Sequence, residues 1–224
     1  TVAVLLTLGL AIKVPVWPLH SWLPMAHTTA PTAGSMVLAA VLLKMGTYGL
    51  VRLPLATVPE GFARVAPVLA VCGAIGIIWG GLVCLVEPDL KRLIAWSSVA
   101  HMGFVTLGFF IFNELGIAGG LVQMIAHGFV SGAMFTCIGV LYDRVHSREI
   151  ADYGGVVNTM PKFAAFAVLF SMANAGLPGT AGFDSSIWFG VFAPKGTPAD
   201  VVRRLHDAFK TAMDQENYRS ALAR

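Results

Sequence analysis

Four side chains stand where the surrounding apolar chain makes their presence costly. Lys44 lies near the middle of Pro31 to Pro54, PTAGSMVLAAVLLKMGTYGLVRLP, in which 22 residues separate the two prolines. About 20 apolar residues suffice for a helix to cross a bilayer, so the stretch reads as a transmembrane helix. Lys44 then sits near the midplane, where translocon scales put its cost at about 2.5–3.5 kcal/mol. His101 falls near the centre of an apolar stretch at about 93–112, and His127 near the centre of another at about 115–141. Lys13 closes the apolar run that opens the chain, TVAVLLTLGLAI. Three titratable groups therefore share one depth, and a fourth marks the end of a helix.

The chemistry such a set can do is proton transfer. Histidine gains and loses protons near neutral pH without help. Lysine joins in only where burial and a movable partner bring its proton affinity into that range. Ser98 precedes His101 by three residues on the same helical face and is placed to hydrogen-bond it. From mid-span Lys44 has no easy route to water, whereas Lys13 could snorkel along its own stem. The competing reading of each histidine is a packed ring bonded to a backbone carbonyl.

Other chemistries have little support. Glycine-rich phosphate loops, H-E-x-x-H and G-x-S-x-G are missing. Cys72, Cys84 and Cys137 lie in apolar runs without C-x-x-C spacing and read as packing residues. Asp89-Leu90-Lys91-Arg92 reads as a charged cytoplasmic turn. His20, His27 and His146 fall in or near loops and read as solvated, and His206 lies on a tail helix with no ligand spacing around it.

The elements that must hold these groups follow from composition. The chain is 56% hydrophobic and 12% charged, with a mean hydropathy of +0.74. Soluble domains carry about 25% charged residues, so the balance is that of a polytopic membrane protein. A net charge of +3 gives no argument for nucleic acid. After the run ending at Lys13, Pro15 and Pro18 break the first helix, and Trp17 and Trp22 suit a segment returning to an interface. Such discontinuous helices are tolerated where the freed backbone is buried in protein or lines a cavity. Further spans are expected at about 65–86, 93–112 and 115–141, and a sixth stretch at about 163–177 ends at Leu177-Pro178-Gly179-Thr180. Gly76-x-x-x-Gly80 and Gly116-x-x-x-Gly120 offer close helix contacts. The expected fold is an all-α polytopic membrane protein with about six transmembrane helices, at least two of them broken. To it is added a short soluble tail with one amphipathic helix.

Of the 27 charged side chains, ten crowd into residues 195–224. That shift marks a boundary between a lipid-soluble part and a water-soluble one. The expected domains are a partial transmembrane domain, 1–181, and a soluble tail, 182–224, with the exact division at Gly182 taken from the second resemblance given below. In the tail Val201, Val202, Leu205, Phe209 and Ala212 share one helical face. The connections near 27–31, 87–92 and 142–162 carry Lys91, Arg92, Arg144, Arg148 and Lys162. The opposite ones, near 52–64 and 113–114, carry Arg52 and Arg64. The positive-inside rule places the first set in the cytoplasm and the tail on the periplasmic side. The chain begins at Thr1 without a charged leader, which reads as an N-terminal truncation.

The motifs KVPVWPLHSWLPMAHTTAPTAGSMVLAAVLLKMGTYGLVR, EPDLKRLIAWSSVAHMGF, LVQMIAHGFVSGAMF and GVLYDRVHSRE closely resemble the antiporter-like proton-pumping subunit of respiratory complex I. The type is that called subunit M in bacteria and chain 4 in mitochondria, and the likeness covers about residues 1–183. The resemblance implies a bacterial inner-membrane, multi-pass protein belonging to a fold of fourteen membrane helices in two inverted repeats. It implies no redox cofactor in this chain, and as partners the lipid bilayer and the other membrane subunits of complex I. By the same resemblance Lys13 matches the lysine of the first broken helix, and Trp22 the tryptophan after it. Lys44 matches the central lysine, and His101 and His127 the histidines leading to the second half-channel. The glutamate that pairs with the Lys13-type lysine belongs to helices missing here. Ser186 stands where the family's terminal glutamate would be, and Asp184 lies two positions early. As a fragment, the polypeptide is expected not to pump by itself.

From about Gly182 the sequence GFDSSIWFGVFAPKGTPADVVRRLHDAFKTAMDQENYRSALA resembles the C-terminal segment of periplasmic receptors of tripartite tricarboxylate transport systems. That resemblance implies a chimera, with no small-molecule ligand assigned to the tail because the receptor's cleft is absent. Two other readings stand beside the complex I one. The first is a cation/proton antiporter or membrane-hydrogenase subunit of the same ancestry, and the second a membrane-tethered receptor fragment.

Overall fold

The structure, a computed structural model, describes residues 2–177 and Thr180. Helix α1 spans Val2–Lys13 and α2 spans Trp22–Thr29, separated by the proline-rich break. Three segments then run on as one helix over Thr32–Arg52: α3 (Thr32–Val37), a π-helical turn (Leu38–Leu42) and α4 (Leu43–Arg52). A short α5 (Pro54–Thr57) leads to α6 (Pro59–Cys84), α7 (Leu90–Phe110) and α8 (Glu114–Val145). A 3-10 turn at Ile150–Asp152, α9 (Val156–Thr159) and α10 (Pro161–Asn174) complete the described chain. Among the described residues no strand forms beyond one isolated bridge, Asp89 to Glu149.

Local sequence explains the ends of these helices. Proline occupies the first position of α6 and of α10, where its missing N–H costs nothing. Asp89 caps α7, its carboxylate accepting from the N–H groups of Lys91 and Arg92 at 2.8 and 3.0 Å. Asn113 caps α8 through Gly116 N–H. The last helix stops before the Leu-Pro-Gly-Thr sequence: Gly176 takes a left-handed φ of 84°, and Leu177 N–H turns back to Met172 O at 3.0 Å. Pro178 and Gly179, the break expected there, lie outside the described residues, as do the tail and its amphipathic helix.

Four helices among the described residues are long and apolar enough to span a bilayer: Thr32–Arg52, Pro59–Cys84, Leu90–Phe110 and Glu114–Val145. The first and last of the six expected stretches fold as the 12-residue α1 and the 14-residue α10, short of that length. Large apolar side chains face outward along the spans, among them Val68, Ile78 and Phe129. An aqueous surface of that kind would be an aggregation hazard, whereas lipid or neighbouring helices accept it.

The connections alternate between two ends, as the loop count requires. At one end the loops before α3, before α7 and after α8 meet: Leu90 N–H donates to Arg148 O at 2.8 Å, and Lys91 Nζ to Ala30 O at 2.6 Å. At the other, Phe62 packs on Phe110 with ring centres 5.0 Å apart and on Phe112 at 5.9 Å.

Close packing of α6 on α7 depends on absent side chains. A Cβ on Gly103 would lie 2.8 Å from Gly73 O and 2.9 Å from Ile77 Cγ1, so the two backbones touch. Of the expected Gly76–Gly80 pair, Gly80 makes this contact against Ala100 and Trp96, while Gly76 faces Trp17. Gly103→Leu is therefore expected to destabilise the bundle by about 1–3 kcal/mol, as overpacking does. Gly81→Leu, where a Cβ meets nothing within 4 Å, serves as the control. Thermal unfolding of the two variants in detergent checks the difference.

Candidate functional site

Lys44 sits just after the π-helical turn, and the turn is what gives its ammonium a place. Leu43 N–H reaches back five residues to Leu38 O, which widens the helix and turns carbonyls of the next residues toward α8. Ala39 O accepts a hydrogen bond from Lys44 Nζ at 2.6 Å. Ala40 O faces Gly128 on α8, where an added Cβ would stand 3.2 Å from that oxygen and 3.7 Å from Lys44 Cε. The glycine thus clears the path along which the lysine reaches α8.

At the end of that path Lys44 Nζ lies 2.5 Å from His127 Nδ1. The ring of His127 is 3% exposed, and Ser131, one turn on, donates to His127 O at 2.6 Å with its Oγ 3.5 Å from Nδ1. His101 approaches from α7, its ring edge-on to that of His127 with centres 5.2 Å apart. Among the described residues, Nε2 of His127 and Nδ1 of His101 are buried without a hydrogen-bond partner. Both rings line a cavity of about 630 Å³, whose wall also carries Gln123, Phe104 and Asn174. Asn174 Nδ2 donates to Ser97 Oγ at 3.3 Å.

This geometry has a definite chemical capacity. An ammonium donating to Nδ1 leaves the neutral imidazole its proton on Nε2, on the far side of the ring. A proton accepted at Nδ1 and another released from Nε2 amount to passage through the ring. The unpartnered nitrogens and the adjoining cavity leave room for water to continue the path.

Of the residues singled out from sequence, Lys44, His127 and His101 come together. Lys13 does not join them by a side-chain bond, and among the described residues no hydrogen bond or ion pair holds its ammonium. Its backbone abuts the lysine helix: a Cβ on Gly46 would lie 3.2 Å from the Lys13 carbonyl carbon and 2.9 Å from Val14 Cγ2. Trp22 has a specific task at the break, its Nε1–H donating to Ile12 O, an orphan carbonyl at the end of α1, at 2.9 Å.

Two expectations are corrected. Ser98 does not hydrogen-bond His101; its Oγ donates to Ile94 O at 3.0 Å, the back-bond a serine makes within its own helix. His20 and His27 are not solvated. His20 is 7% exposed and packs edge-on against Trp96. His27 is 0% exposed and stacks on Phe135 with ring centres 4.4 Å apart, both of its nitrogens without a partner among the described residues. Sequence did carry a signal, since no Asp, Glu, Lys or Arg occurs between Lys13 and Lys44. Ser131 and the burial of Lys91 were also missed. Among the described residues no group of three His, Cys, Asp or Glu side chains could hold a metal ion.

Fold and site together define a class: helical membrane proteins with a broken helix and a lysine–imidazole pair between two spans. Within it, the chain belongs to the family described as NADH:quinone oxidoreductase/Mrp antiporter, transmembrane, which matches residues 1–192. It is 51% identical over 197 residues to NADH-quinone oxidoreductase subunit M of Rhodobacter capsulatus, an alignment that covers 83% of this chain and 38% of the relative. Among solved structures it is similar to a chain of respiratory complex I from Thermus thermophilus, with a TM-score of 0.76 and 36% identity. That likeness covers 81% of this chain and 39% of the other. The Mrp complex of a Dietzia species gives a TM-score of 0.74 at 27% identity, over 79% of this chain and 33% of that one. The chain thus spans about two fifths or less of the proteins it matches. The family match runs to residue 192, and the receptor resemblance of 182–224 finds no support in these matches.

Proposed function

We propose that this chain is part of a proton-translocating membrane subunit of an NADH:quinone oxidoreductase, and that Lys44, His127 and His101 form its central relay. The observation that carries the reading is the 2.5 Å contact of Lys44 Nζ with His127 Nδ1, between two spans and beside the His101 ring. Lys13 supplies the preceding station at the break, and Trp22 fixes the end of α1 behind it. Ser98, whose hydroxyl bonds Ile94 O, is given no supporting bond to His101. The reading assigns electron transfer to other subunits and no redox cofactor to this one. It places the protein in a bacterial inner membrane among other membrane subunits, with the Lys91/Arg148 end cytoplasmic and the tail periplasmic. About six membrane-crossing segments follow if α1 with α2 and α10 with residues beyond it each complete one.

A cation/proton antiporter subunit is the second reading, favoured by the likeness to the Mrp complex. Among the solved structures, identity of 36% to the complex I chain against 27% to the Mrp chain supports the first.

The experiment replaces the matching segment of the Rhodobacter capsulatus subunit M with residues 1–177. In proteoliposomes the hybrid enzyme is expected to drive NADH-dependent, uncoupler-sensitive proton uptake that does not require sodium. An assembled enzyme that oxidises NADH with quinone yet moves no protons through this subunit would overturn the proposal. A strict sodium requirement would favour the antiporter.

A further inference from the structure

The end of the bundle read from sequence as a charged turn is built around the last carbonyls of α2. Lys91 is 9% exposed, and its Nζ donates to Ala30 O at 2.6 Å. Arg148, from the connection after α8, donates through Nη1 to Thr28 O at 2.9 Å, with its Nε 3.5 Å from Asp89 Oδ2. Thr28 and Ala30 are among the orphan acceptors at the C-terminus of α2, where the helix dipole places partial negative charge. Two cations from distant parts of the chain thus close on one helix end. Asp89 faces the same group while capping α7, and Glu87 pairs with Arg92 at 3.3 Å. Behind this group lies His27, whose ring rests on Phe135, and Ser35 Oγ donates to His27 O at 3.4 Å. Phe135, Ser131 and His127 succeed one another at four-residue intervals, on one face of α8.

We propose that Lys91 and Arg148 are positioning residues that clamp the C-terminal carbonyls of α2 and so hold His27 against the α8 face that carries His127. The clamp itself stands on the bonds just described; its consequence for pumping rests on the relay reading above. A guanidinium is required at Arg148 because one planar fork serves two acceptors in different directions, Thr28 O and Asp89 Oδ2. A lysine there can keep the charge beside Asp89 but not both contacts.

The test uses the assembled hybrid enzyme with Arg148→Lys, Arg148→Met and Lys91→Met. It reads amide hydrogen exchange in peptides covering α2 together with protons moved per NADH. Loss of a charge-assisted bond to a helix end is expected to speed exchange at residues 28–30 by about tenfold or more. The α6 peptides should not change. The Lys variant at 148 should behave like the Met variant in exchange, and proton stoichiometry should fall in all three. Wild-type exchange in Arg148→Lys would show that charge alone suffices and overturn the clamp. Faster exchange with undiminished pumping would leave the clamp standing and overturn its link to the relay. Should none of the three variants assemble, the residues serve folding, and the proposal fails. If the unmutated hybrid does not pump, the relay reading fails while the exchange arm still decides the clamp.

Discussion

Lys44→Met in the hybrid enzyme is expected to lower proton translocation through this subunit by at least about tenfold, and Lys44→Arg to lower it equally. The two substitutions separate the roles a buried cation can play. Arginine keeps a positive charge near Ala39 O and His127, but it does not release a proton under any condition the enzyme meets. Were Lys44 only a fixed charge, arginine would restore function. A relay needs a group that gives its proton up, and arginine fails there as methionine does. The fold should survive both changes. Methionine leaves Ala39 O and His127 Nδ1 without their partner, at about 1–3 kcal/mol for a buried group. That loss is offset by removing a cation whose placement at the span centre itself costs about 2.5–3.5 kcal/mol. The measurement is NADH-driven quenching of a pH dye in proteoliposomes, normalised to NADH oxidation and to assembled enzyme. Full pumping in Lys44→Arg would remove Lys44 from the relay.

The extent to which this site could be read from sequence depends on what each residue's neighbours reveal. A lysine inside a long apolar helix announces itself, because few alternatives to function excuse its cost. His101 and His127 were legible through their common depth, and the structure places their rings 5.2 Å apart. His27 reads as solvated because α2 has only eight residues, too few for a hydrophobic period to show, and prolines around it look like loop. Its burial comes from α8, more than a hundred residues away, through the stacking on Phe135. The π-helical turn was likewise invisible, since Leu38–Leu42 contains neither proline nor glycine. It is the widened turn that frees Ala39 O for Lys44. Ser98 shows the opposite error, for helical spacing toward His101 is real but cannot tell a hydroxyl which acceptor to choose. Lys91 and Arg148 read as ordinary loop cations because sequence does not say that their partners are carbonyls of another helix.

The fold was legible where apolar length decides it. The spans expected at 65–86, 93–112 and 115–141 are matched by the helices Pro59–Cys84, Leu90–Phe110 and Glu114–Val145, each of which begins earlier, in a first turn that carries polar residues. Short segments resist this reasoning, since neither α1 nor α10 reaches spanning length among the described residues.

The relation between Lys44 and His127 yields the second large effect. His127→Phe conserves ring volume and the edge-on packing against His101 but removes both nitrogens, and it too is expected to cut proton flux by about tenfold. The double variant Lys44→Met/His127→Phe decides how the two act. If the residues pass one proton in series across the 2.5 Å contact, removing the second adds little once the first is gone. The double variant should then be no slower than the slower single, a coupling of about 1.4 kcal/mol for a tenfold effect. If each instead lowers the barrier of the path independently of the other, with no proton handed directly between them, the losses multiply to about a hundredfold. Ser131→Ala distinguishes contact from support. Its hydroxyl donates to His127 O at 2.6 Å and lies 3.5 Å from Nδ1, so flux should stay near wild type with Lys44 in place. A multiplicative double variant would separate Lys44 from His127 and assign the histidine to the cavity it shares with His101.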